Sequence, residues 1–334
     1  MERVVLGLSG GVDSAVAARL LMQRGFEVVA LYLDIGTGGE EAAEQAAREL
    51  GIDFHVRDIR PQLEKHVCAP FAGGYLRGET PNPCVLCNPT VKFPALFALA
   101  DELGARYAAT GHYARCRGGR LFMGEPENDQ SYMLAFLRTE QLERCIFPLG
   151  GMNKSAVRAL AEQFSLSAAH RPDSMEICFV PDGDWAGFIE RRGAVPPEGD
   201  FITPDGAVIG RHRGIHRYTI GQRRHLGISA GRRVFVSAID PERNTVTLSD
   251  GDALYVSRAA AEGANWLMPK PEGSFECGVR VRHSRGLSSA VVTAADGGFV
   301  MEFDRPVRAP VPGQAAVCYV GGEVVCAGTI CAEK

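Results

Sequence analysis

The chain has 334 residues, of which 46% are apolar and 23% are charged, and its formal net charge is −4. This length allows two or three domains, and the composition is ordinary for a soluble globular protein. The small negative charge argues against indiscriminate nucleic-acid binding but leaves room for a local basic surface. There is no uninterrupted apolar run of about 18 residues, and the N-terminus lacks the features of a signal or transit peptide. We therefore expect a cytoplasmic protein without a membrane span.

The first 112 residues alternate between strand and helix patterns. Alternation of this kind predicts right-handed βαβ units and a parallel sheet with helices on both faces, which is an α/β fold. Ligands of such sheets bind at the carboxyl ends of the strands, where the stretches "LSGGVDS" and "TGHY" fall. The predicted strands are 3–8, 27–33, 53–59 and 106–112, and the predicted helices are one ending at Gly25, 39–51, and 91–105 with an early interruption at Pro94.

The pattern changes after about residue 150. A helix is predicted over 153–166 with Asn153 as its N-cap. From about 196, short apolar runs separated by Gly, Pro and Asp indicate a small β-rich module and then a β-barrel or sandwich of about 75 residues. We expect domains at 1–195, 196–255 and 256–334. The middle module is basic, since 205–245 has eight Arg and three His against three acidic residues.

The stretch "GLSGGVDS" at 7–14 lies between the first strand and the first helix. A glycine-rich turn at this place directs backbone N–H groups and the helix dipole at an anion, and Ser9 and Ser14 can donate to phosphate oxygens. It is neither the G-x-x-x-x-G-K-[ST] loop nor G-x-G-x-x-G. The pattern resembles the PP-loop ATP pyrophosphatase superfamily, which implies ATP as a substrate and adenylation of a substrate oxygen. Asp13 is then either a Mg²⁺ ligand or a carboxylate that orients the loop.

Two cysteine-bearing stretches stand out, "TPNPCVLCN" at 80–88 and "DSMEICFV" at 173–180. The first is a proline-braced loop that carries Cys84 and Cys87 and is followed by a helix, and a cysteine just before a helix N-terminus has a lowered pKa. The surrounding motifs lead us to expect functional roles for Cys87 and Cys178. The ten cysteines of a cytosolic chain do not predict a disulfide framework. Small buried side chains are the expectation for Cys116, Cys145, Cys277, Cys318, Cys326 and Cys331.

Seven motifs occur in order and together resemble the tRNA-specific 2-thiouridylase family over 3 to about 331. They are "GLSGGVDS", "TPNPCVLCN", "ATGHYAR", "NDQSYML", "EICFV", "YTIGQRRHLGI" and "PGQAAVCY". The resemblance implies a tRNA-uridine 2-sulfurtransferase that adenylates the C2 oxygen of the wobble uridine and replaces it with sulfur, releasing AMP and pyrophosphate. It implies that Cys178 carries a persulfide, and that Cys87 attacks that persulfide or forms a disulfide with Cys178 during catalysis.

The resemblance also implies ligand contacts for particular positions. The partners it implies are tRNA, bound through its anticodon loop, and a sulfur donor, and we expect a monomer. Contacts with ATP are implied for Gly7, Leu8, Ser9, Gly10, Gly11, Val12, Asp13, Ser14, Leu33 and Gly111. Contacts with the target base are implied for Asn82, Pro83 and Cys84, and contacts with tRNA for His112, Asn128, Asp129, Gln130, Arg282, His283 and Gln314. The arginine-rich 211–243 region suits a grip on the tRNA backbone.

One position departs from the family pattern. Many relatives have an aspartate where this chain has Cys84, and a thiol is a poorer general acid at neutral pH. Cys84, Cys87 and Cys178 make a three-thiol set of the kind that holds a [4Fe–4S] cluster in some related thiolases. Zinc on this set is disfavoured because a fourth ligand is missing. The segment between Leu33 and Gly51 is also short compared with the family.

Alternative functions stay open at this point. Within the enzymes, the alternatives are amidation, thiolation at another tRNA position, or a thiolase that uses the three-cysteine cluster. From a different class, the chain could be a non-catalytic tRNA-binding or sulfur-carrier protein. The paired thiols argue against amidation, and the intact glycine-rich loop argues against a non-catalytic role.

Overall fold

The computed structural model describes residues 1–172, 177–193, 195–228, 231–284 and 286–332. The chain forms two compact units. Unit 1 comprises Met1–Val67, Cys84–Pro181 and Tyr319–Cys326, and unit 2 comprises Cys68–Pro83, Asp182–Cys318 and Ala327–Lys334.

The described residues form seventeen strands and ten α-helices. The strands are β1 (Glu2–Gly7), β2 (Phe26–Asp34), β3 (Asp53–Asp58), β4 (Tyr107–Ala109), β5 (Ala114–Arg117), β6 (Arg120–Met123), β7 (Cys145–Ile146), β8 (Gly199–Ile202), β9 (Val208–His212), β10 (Phe235–Asp240), β11 (Thr245–Ser249), β12 (Tyr255–Trp266), β13 (Ser274–Arg280), β14 (Ser288–Ala295), β15 (Gly298–Arg308), β16 (Ala315–Val320) and β17 (Glu323–Cys331). The helices are α1 (Val12–Gln23), α2 (Glu40–Leu50), α3 (Arg60–Leu63), α4 (Ala69–Leu76), α5 (Pro83–Cys87), α6 (Phe93–Glu102), α7 (Ser131–Leu134), α8 (Thr139–Leu142), α9 (Lys154–Gln163) and α10 (Trp185–Glu190).

Unit 1 is built on a parallel sheet with the strand order β3-β2-β1-β4-β7. The predicted parallel α/β sheet is confirmed. The order runs outward from β1 to β3 and then reverses to β4, so β1 and β4 flank a topological switch point, where ligands of open α/β sheets bind. The right-handed crossover rule puts α1 and α2 on one face and α6 on the other. The core between sheet and helices includes Val4, Leu6, Ala15, Val16 and Leu21, all fully buried.

The helix predicted at 91–105 begins earlier than expected. The chain is helical from Pro83 to Glu102, because a π-helical turn over Asn88–Lys92 joins α5 to α6. Pro89 and Pro94 lie at the start of the π segment and of α6, the two places where the winding of this run changes. By length and composition this 20-residue stretch could cross a membrane. In the structure its side chains Phe93, Leu96, Leu99 and Ala100 are buried, as in a core helix.

Unit 2 contains a four-stranded sheet with the order β10-β11-β8-β9. Phe201, Val236, Val246 and Leu248 form its core. Among the C-terminal strands the order β12-β15-β14-β13-β16-β17 is closed by pairing between β12 and β17, which makes a barrel. The predicted β-rich module and C-terminal β-barrel are confirmed, while the domain boundaries 195/196 and 255/256 stay predictions.

Candidate active site

The glycine loop, residues Gly7–Ser14, connects the carboxyl end of β1 to α1. Gly10 has a φ of +77°, and a Cβ there would lie 2.7 to 2.9 Å from the backbone of Ala42 and Ala43. Only glycine allows both this conformation and this close approach to α2. The loop is therefore held against α2 by backbone contact rather than by a side chain.

The first turn of α1 is left without a side-chain cap. Gly11 is the N-cap and supplies no side-chain hydrogen bond. The Ser14 hydroxyl donates to the Gly11 carbonyl at 3.0 Å and accepts from the Ser9 amide at 3.3 Å. The two serines, expected to donate to phosphate, thus also brace the loop from within. An uncapped helix N-terminus at a switch point is suited to bind phosphate oxygens through backbone N–H groups.

The loop after β4 meets the glycine loop, as the sequence predicts. A Cβ on Gly111 would lie 2.9 to 3.0 Å from the backbone of Asp13 and Ser14. Gly111 therefore allows the two loops to touch, and the stretch "TGHY" lies beside "GGVDS". Leu33, the other predicted ATP contact, is on β2, which pairs with β1.

Asp13 is held as a loop-orienting carboxylate. Its two carboxylate oxygens accept from the Lys154 ammonium at 2.8 Å each, and one also accepts from the Tyr113 hydroxyl at 2.6 Å. These contacts orient the glycine loop, and the role of Asp13 as a Mg²⁺ ligand stays a prediction. Lys154 and Tyr113 escaped the sequence analysis because they reach Asp13 only through the tertiary fold. Arg171 escaped it too, and its guanidinium donates to the Gly10 carbonyl at 2.8 Å.

The three consecutive residues of "NDQ" at 128–130 hold neighbouring backbone. Asn128 accepts from the Lys154 amide at 3.0 Å, and Gln130 accepts from the Tyr113 amide at 3.0 Å. Asp129 is buried and accepts from the amides of Gly124 and Ser131. These side chains connect the predicted tRNA-contact segment to the residues that hold Asp13. Their contact with tRNA stays a prediction.

The thiol cluster, Cys84, Cys87 and Cys178, lies within unit 1. Desolvation raises the pKa of Cys178 to about 11, and the neighbouring thiols Cys87 and Cys84 add to the increase. The Cys178 residue has exposed surface, but protein atoms surround its sulfur, and desolvation is therefore the largest contribution to its raised pKa. The fold therefore brings together thiols that are 91 and 94 residues apart in sequence (178 − 87 and 178 − 84).

The expectation of a low thiol pKa is wrong for Cys87. Cys87 does not precede a helix; it is the last residue of α5, inside the helical run. Desolvation raises its pKa, and the charge of Lys92 lowers it in part. The Cys87 thiol is thus held protonated at neutral pH. No pairing is formed in the structure, where both Cys87 and Cys178 are free thiols.

Lys92 is a site residue that the sequence analysis missed. It ends the π-helical turn that starts after Cys87, and its backbone amide hydrogen-bonds to the Cys87 sulfur. Its charge also lowers the pKa of Cys178 and depresses the pKa of His112. Lys92 therefore lies within electrostatic reach of both thiols and of the loop after β4. The sequence signal that could have identified Lys92 is its position five residues after Cys87, in a stretch that contains Pro83 and Pro89.

His112 is neutral in this environment. Desolvation first and Lys92 second lower its pKa well below 6.5. Its Nδ1 hydrogen-bonds with the Thr110 hydroxyl at 2.7 Å, and its ring stacks on Phe93 with centroids 6.3 Å apart. His112 therefore connects the Gly111 turn at the glycine loop to the helix that carries Lys92.

The three thiols do not form a metal site as placed. No group of three or more His, Cys, Asp or Glu side chains with a metal-binding arrangement occurs among the residues that the structure describes. Residues 173–176 of "DSMEICFV", just before Cys178, lie outside the described residues. The [4Fe–4S] hypothesis on Cys84, Cys87 and Cys178 therefore gains no support from the arrangement.

Of the six cysteines predicted to be small buried side chains, Cys145, Cys318 and Cys326 are buried, whereas Cys116, Cys277 and Cys331 are half-buried. Burial raises the pKa of Cys145 well above its usual value. Cys116 is half-buried and donates to the Leu142 carbonyl, and desolvation raises its pKa to about 11. Thiols in these environments are inert.

The remaining predicted contacts lie in unit 2. Arg282 and His283 follow β13 and are exposed, and Asn82 and Pro83 are half-buried. The Gln314 side-chain amide donates to the Thr80 carbonyl at 2.6 Å. Contacts of these residues with tRNA or the target base stay predictions.

Comparison with known proteins covers nearly the whole chain. Family models match as the tRNA methyl transferase HUP domain over residues 2–182, the tRNA methyl transferase PRC-barrel domain over 186–250, and the aminomethyltransferase beta-barrel domain over 256–330. The chain is 41% identical over 347 residues to the tRNA-specific 2-thiouridylase MnmA of Syntrophotalea carbinolica, covering 98% of each chain. It is 39% identical over 353 residues to that of Pelotomaculum thermopropionicum, covering 98% of this chain and 97% of the relative.

A solved structure of a 4-thiouridine synthetase–RNA complex with bound ATP is more distant. It is 20% identical, with 57% of this chain and 50% of that chain covered and a TM-score of 0.38. A likeness at this level carries no weight for function. From the near-complete match to the curated relatives, together with a glycine loop at the switch point and a cluster of thiols in the same unit, we conclude that the chain belongs to the tRNA-specific 2-thiouridylase family.

Proposed function

We propose that this chain catalyses the ATP-dependent 2-thiolation of the wobble uridine (U34) of tRNA. ATP adenylates the C2 oxygen, sulfur from a persulfide on Cys178 replaces that oxygen, and AMP and pyrophosphate are released. The observation that carries the proposal is a continuous series of neighbours in unit 1. Gly111 contacts the glycine loop, His112 follows it, and Lys92 lies in electrostatic reach of His112, Cys87 and Cys178.

The adenylation step uses the glycine loop. Backbone N–H groups at the start of α1 would bind the pyrophosphate of ATP, and the helix dipole adds to the attraction. The C2 oxygen attacks the α-phosphate, the bond to the bridging oxygen breaks, and pyrophosphate leaves. Magnesium, which accompanies ATP, supplies charge neutralisation on the phosphates. Lys154 and Tyr113 hold Asp13 and so keep the first turn of α1 in place.

The sulfur step uses both thiols. The Cys87 thiolate attacks the inner sulfur of the Cys178 persulfide, which releases hydrosulfide and leaves a Cys87–Cys178 disulfide. Hydrosulfide attacks C2, and AMP leaves with the former C2 oxygen. One proton from the Cys87 thiol is released, and an external thiol reductant restores the two cysteines. Lys92 supports this step because its charge favours the thiolate at both positions.

Other expectations from the sequence stay predictions within this proposal. They are the contacts of Asn82, Pro83 and Cys84 with the target base, those of His112, Asn128, Asp129, Gln130, Arg282, His283 and Gln314 with tRNA, the monomeric state, the external sulfur donor and the cytoplasmic location. The [4Fe–4S] variant, the amidation alternative and the non-catalytic alternative are each favoured by no observation in the described residues.

The test is nucleoside mass spectrometry of tRNA incubated with the protein, ATP, Mg²⁺ and a sulfide source. We expect 2-thiouridine at position 34 together with one AMP per thiolated nucleoside. An unchanged wobble uridine under these conditions contradicts the proposal. Sulfur incorporated at a different nucleoside would instead support thiolation at another position of tRNA.

A further inference from the structure

Unit 2 contains an open cavity of about 570 Å³, lined mainly by residues of the arginine-rich 211–243 region and by none of the individually predicted contact residues. Its wall includes Tyr75 and Trp185, and its rim is the loop that carries Arg223, Arg224 and His225. The volume is within the range of small-molecule and nucleotide pockets. The motif "YTIGQRRHLGI", which marks the family resemblance, supplies most of this loop, but the mechanism above gives it no role.

The aromatic wall is fixed, with Tyr75 buried and Trp185 half-buried. The rings of Tyr75 and Trp185 lie 6.3 Å apart at an interplanar angle of 35°. The Trp185 indole N–H donates to the His216 carbonyl at 3.3 Å, and the Tyr75 hydroxyl hydrogen-bonds with the Thr219 side chain. With its polar atom occupied, the half-exposed indole of Trp185 offers apolar ring surface to a ligand, as stacking side chains of RNA-binding proteins do.

The cationic rim is preorganised by one side chain. The Gln222 amide oxygen accepts from the Thr219 N–H and its NH₂ donates to the Arg224 carbonyl, each at 3.0 Å. The backbone of Gly221 and Gln222 pairs with Val236 on β10 at 2.7 and 2.9 Å. Such a braced loop holds its shape without a ligand.

The charge at the rim is positive and unneutralised. Arg223 and Arg224 are exposed, and neither forms an ion pair in the part of the chain that the structure describes. The neighbouring acid Asp184 already caps α10 by accepting from the Gly187 amide at 2.9 Å. Two guanidinium groups beside an aromatic wall match an anionic ligand that has a flat ring.

We propose that this cavity is a binding subsite for one nucleotide of the tRNA substrate, with its base against Trp185 and its phosphate on Arg223 and Arg224. This inference rests on the proposed function, because it takes tRNA as the partner. It adds a nucleotide contact in the middle module that is separate from the chemistry of the thiols. The braced loop and its charge favour RNA over an acidic protein, which has no bases to stack.

The first experiment measures tRNA affinity at several salt concentrations for R223A/R224A and for the matched control R258A/R305A, which lies outside the 211–243 region. Both variants lose two exposed positive charges from unit 2. We expect R223A/R224A to raise Kd about tenfold or more and to reduce the slope of log Kd against log salt by about 1 per lost phosphate contact. The control should change Kd by less than about twofold. Equal behaviour of the two variants overturns the subsite.

The second experiment follows Trp185 fluorescence. The chain has two tryptophans, so W266F leaves Trp185 as the sole indole and W185F leaves Trp266. Quenching of W266F by tRNA, with no change in W185F, supports stacking. No quenching of W266F, equal quenching by inorganic phosphate, or competition by polyglutamate equal to that by RNA overturns the assignment to an RNA nucleotide.

Failure of this inference is distinguishable from failure of the proposed function. If wild-type protein forms 2-thiouridine while R223A/R224A binds tRNA with unchanged Kd and salt slope, the subsite is wrong and the thiolation stands. If R223A/R224A loses affinity but wild-type protein forms no 2-thiouridine, the subsite stands and the thiolation is wrong.

Discussion

The glycine loop and the thiol cluster belong to the same unit but are prepared for their tasks in opposite ways. The loop offers backbone N–H groups, whose partial charge does not depend on pH, and contact of Gly10 with α2 and of Gly111 with Asp13 fixes its position. The thiols must ionise to react, yet desolvation raises the pKa of both Cys87 and Cys178. The phosphate site is therefore preorganised before a ligand binds. The thiols, in contrast, stay protonated until nearby positive charge favours the thiolate.

The largest expected effect separates the two regions completely. C178S and C87S each remove a sulfur that the transfer step needs, so 2-thiouridine formation should fall below about one thousandth of wild type. ATP affinity should not change, because the glycine loop is intact. Mass spectrometry of the tRNA nucleosides and calorimetric ATP titration measure the two properties.

The control for the cysteine variants is C277S, at a half-buried position on β13. It should thiolate tRNA at the wild-type rate. A C178S protein that still makes 2-thiouridine would remove the persulfide carrier from the mechanism.

The next effect concerns the loop alone. G10A introduces a Cβ at 2.7 Å from the Ala42 backbone at a φ of +77°, and we expect ATP affinity to fall about 100-fold and the free energy of unfolding to fall by about 2 to 4 kcal/mol. G25A is the matched control, since Gly25 has a φ of +86° but no atom within 4 Å of its Cβ position. It should cost about 1 kcal/mol of stability and leave ATP affinity unchanged. Equal ATP affinity of the two variants would show that the close approach to α2 is irrelevant to binding.

A smaller effect tests the source of charge at the thiols. K92Q removes the cation that lowers the pKa of Cys87 and Cys178, so both pKa values should rise further. Alkylation of these thiols by iodoacetamide at pH 8 to 9 should slow roughly 3- to 10-fold, with the rate at Cys178 still increasing with pH toward about 11. Quantitative mass spectrometry of each cysteine peptide measures this. K65Q, at an exposed lysine, is the control, and equal rates in K92Q and K65Q would contradict the role of Lys92.

The smallest effect is on stability. The pKa of His112 is lower in the folded state than its ordinary 6.5, so the unfolded chain binds a proton that the folded chain does not. The contribution of His112 is therefore complete above pH 6.5 and is lost as pH falls below it, by up to about 1.4 kcal/mol per pH unit. Denaturant unfolding between pH 8 and 5 should show a shallower dependence for H112Q than for wild type. H170Q, at an exposed histidine, should match wild type.

The same contrast explains what the sequence could predict. The glycine loop was predictable because its function depends on backbone conformation, which a short run of glycines and serines specifies locally. The alternation of strands and helices likewise placed "LSGGVDS" and "TGHY" at one edge of the sheet, and the contact of Gly111 with Asp13 confirms it.

The electrostatics of the thiols could not be predicted from local pattern. Lys154 and Arg171 act on partners brought close by the fold, and so does Lys92 where it acts on Cys178 and His112. The direction of the Cys87 pKa was wrong because "NPCVLCN" looks like a loop before a helix, whereas the π-helical turn makes it part of the helical run. Burial of a thiol is a property of the packed structure, and no single-sequence rule supplies it.

The π-helical turn over Asn88–Lys92 has a consequence for evolution of this site. Such a turn is equivalent to one extra residue in an α-helix. Deleting a single residue there would restore regular α-helical winding. The residues before the deletion would rotate by about 100° around the helix axis and shift by about 1.5 Å along it, relative to α6. Cys84 and Cys87 would then face away from Lys92, whose charge lowers the pKa of Cys87. The direction in which these thiols point therefore depends on the number of residues in one helical turn as well as on the residue types.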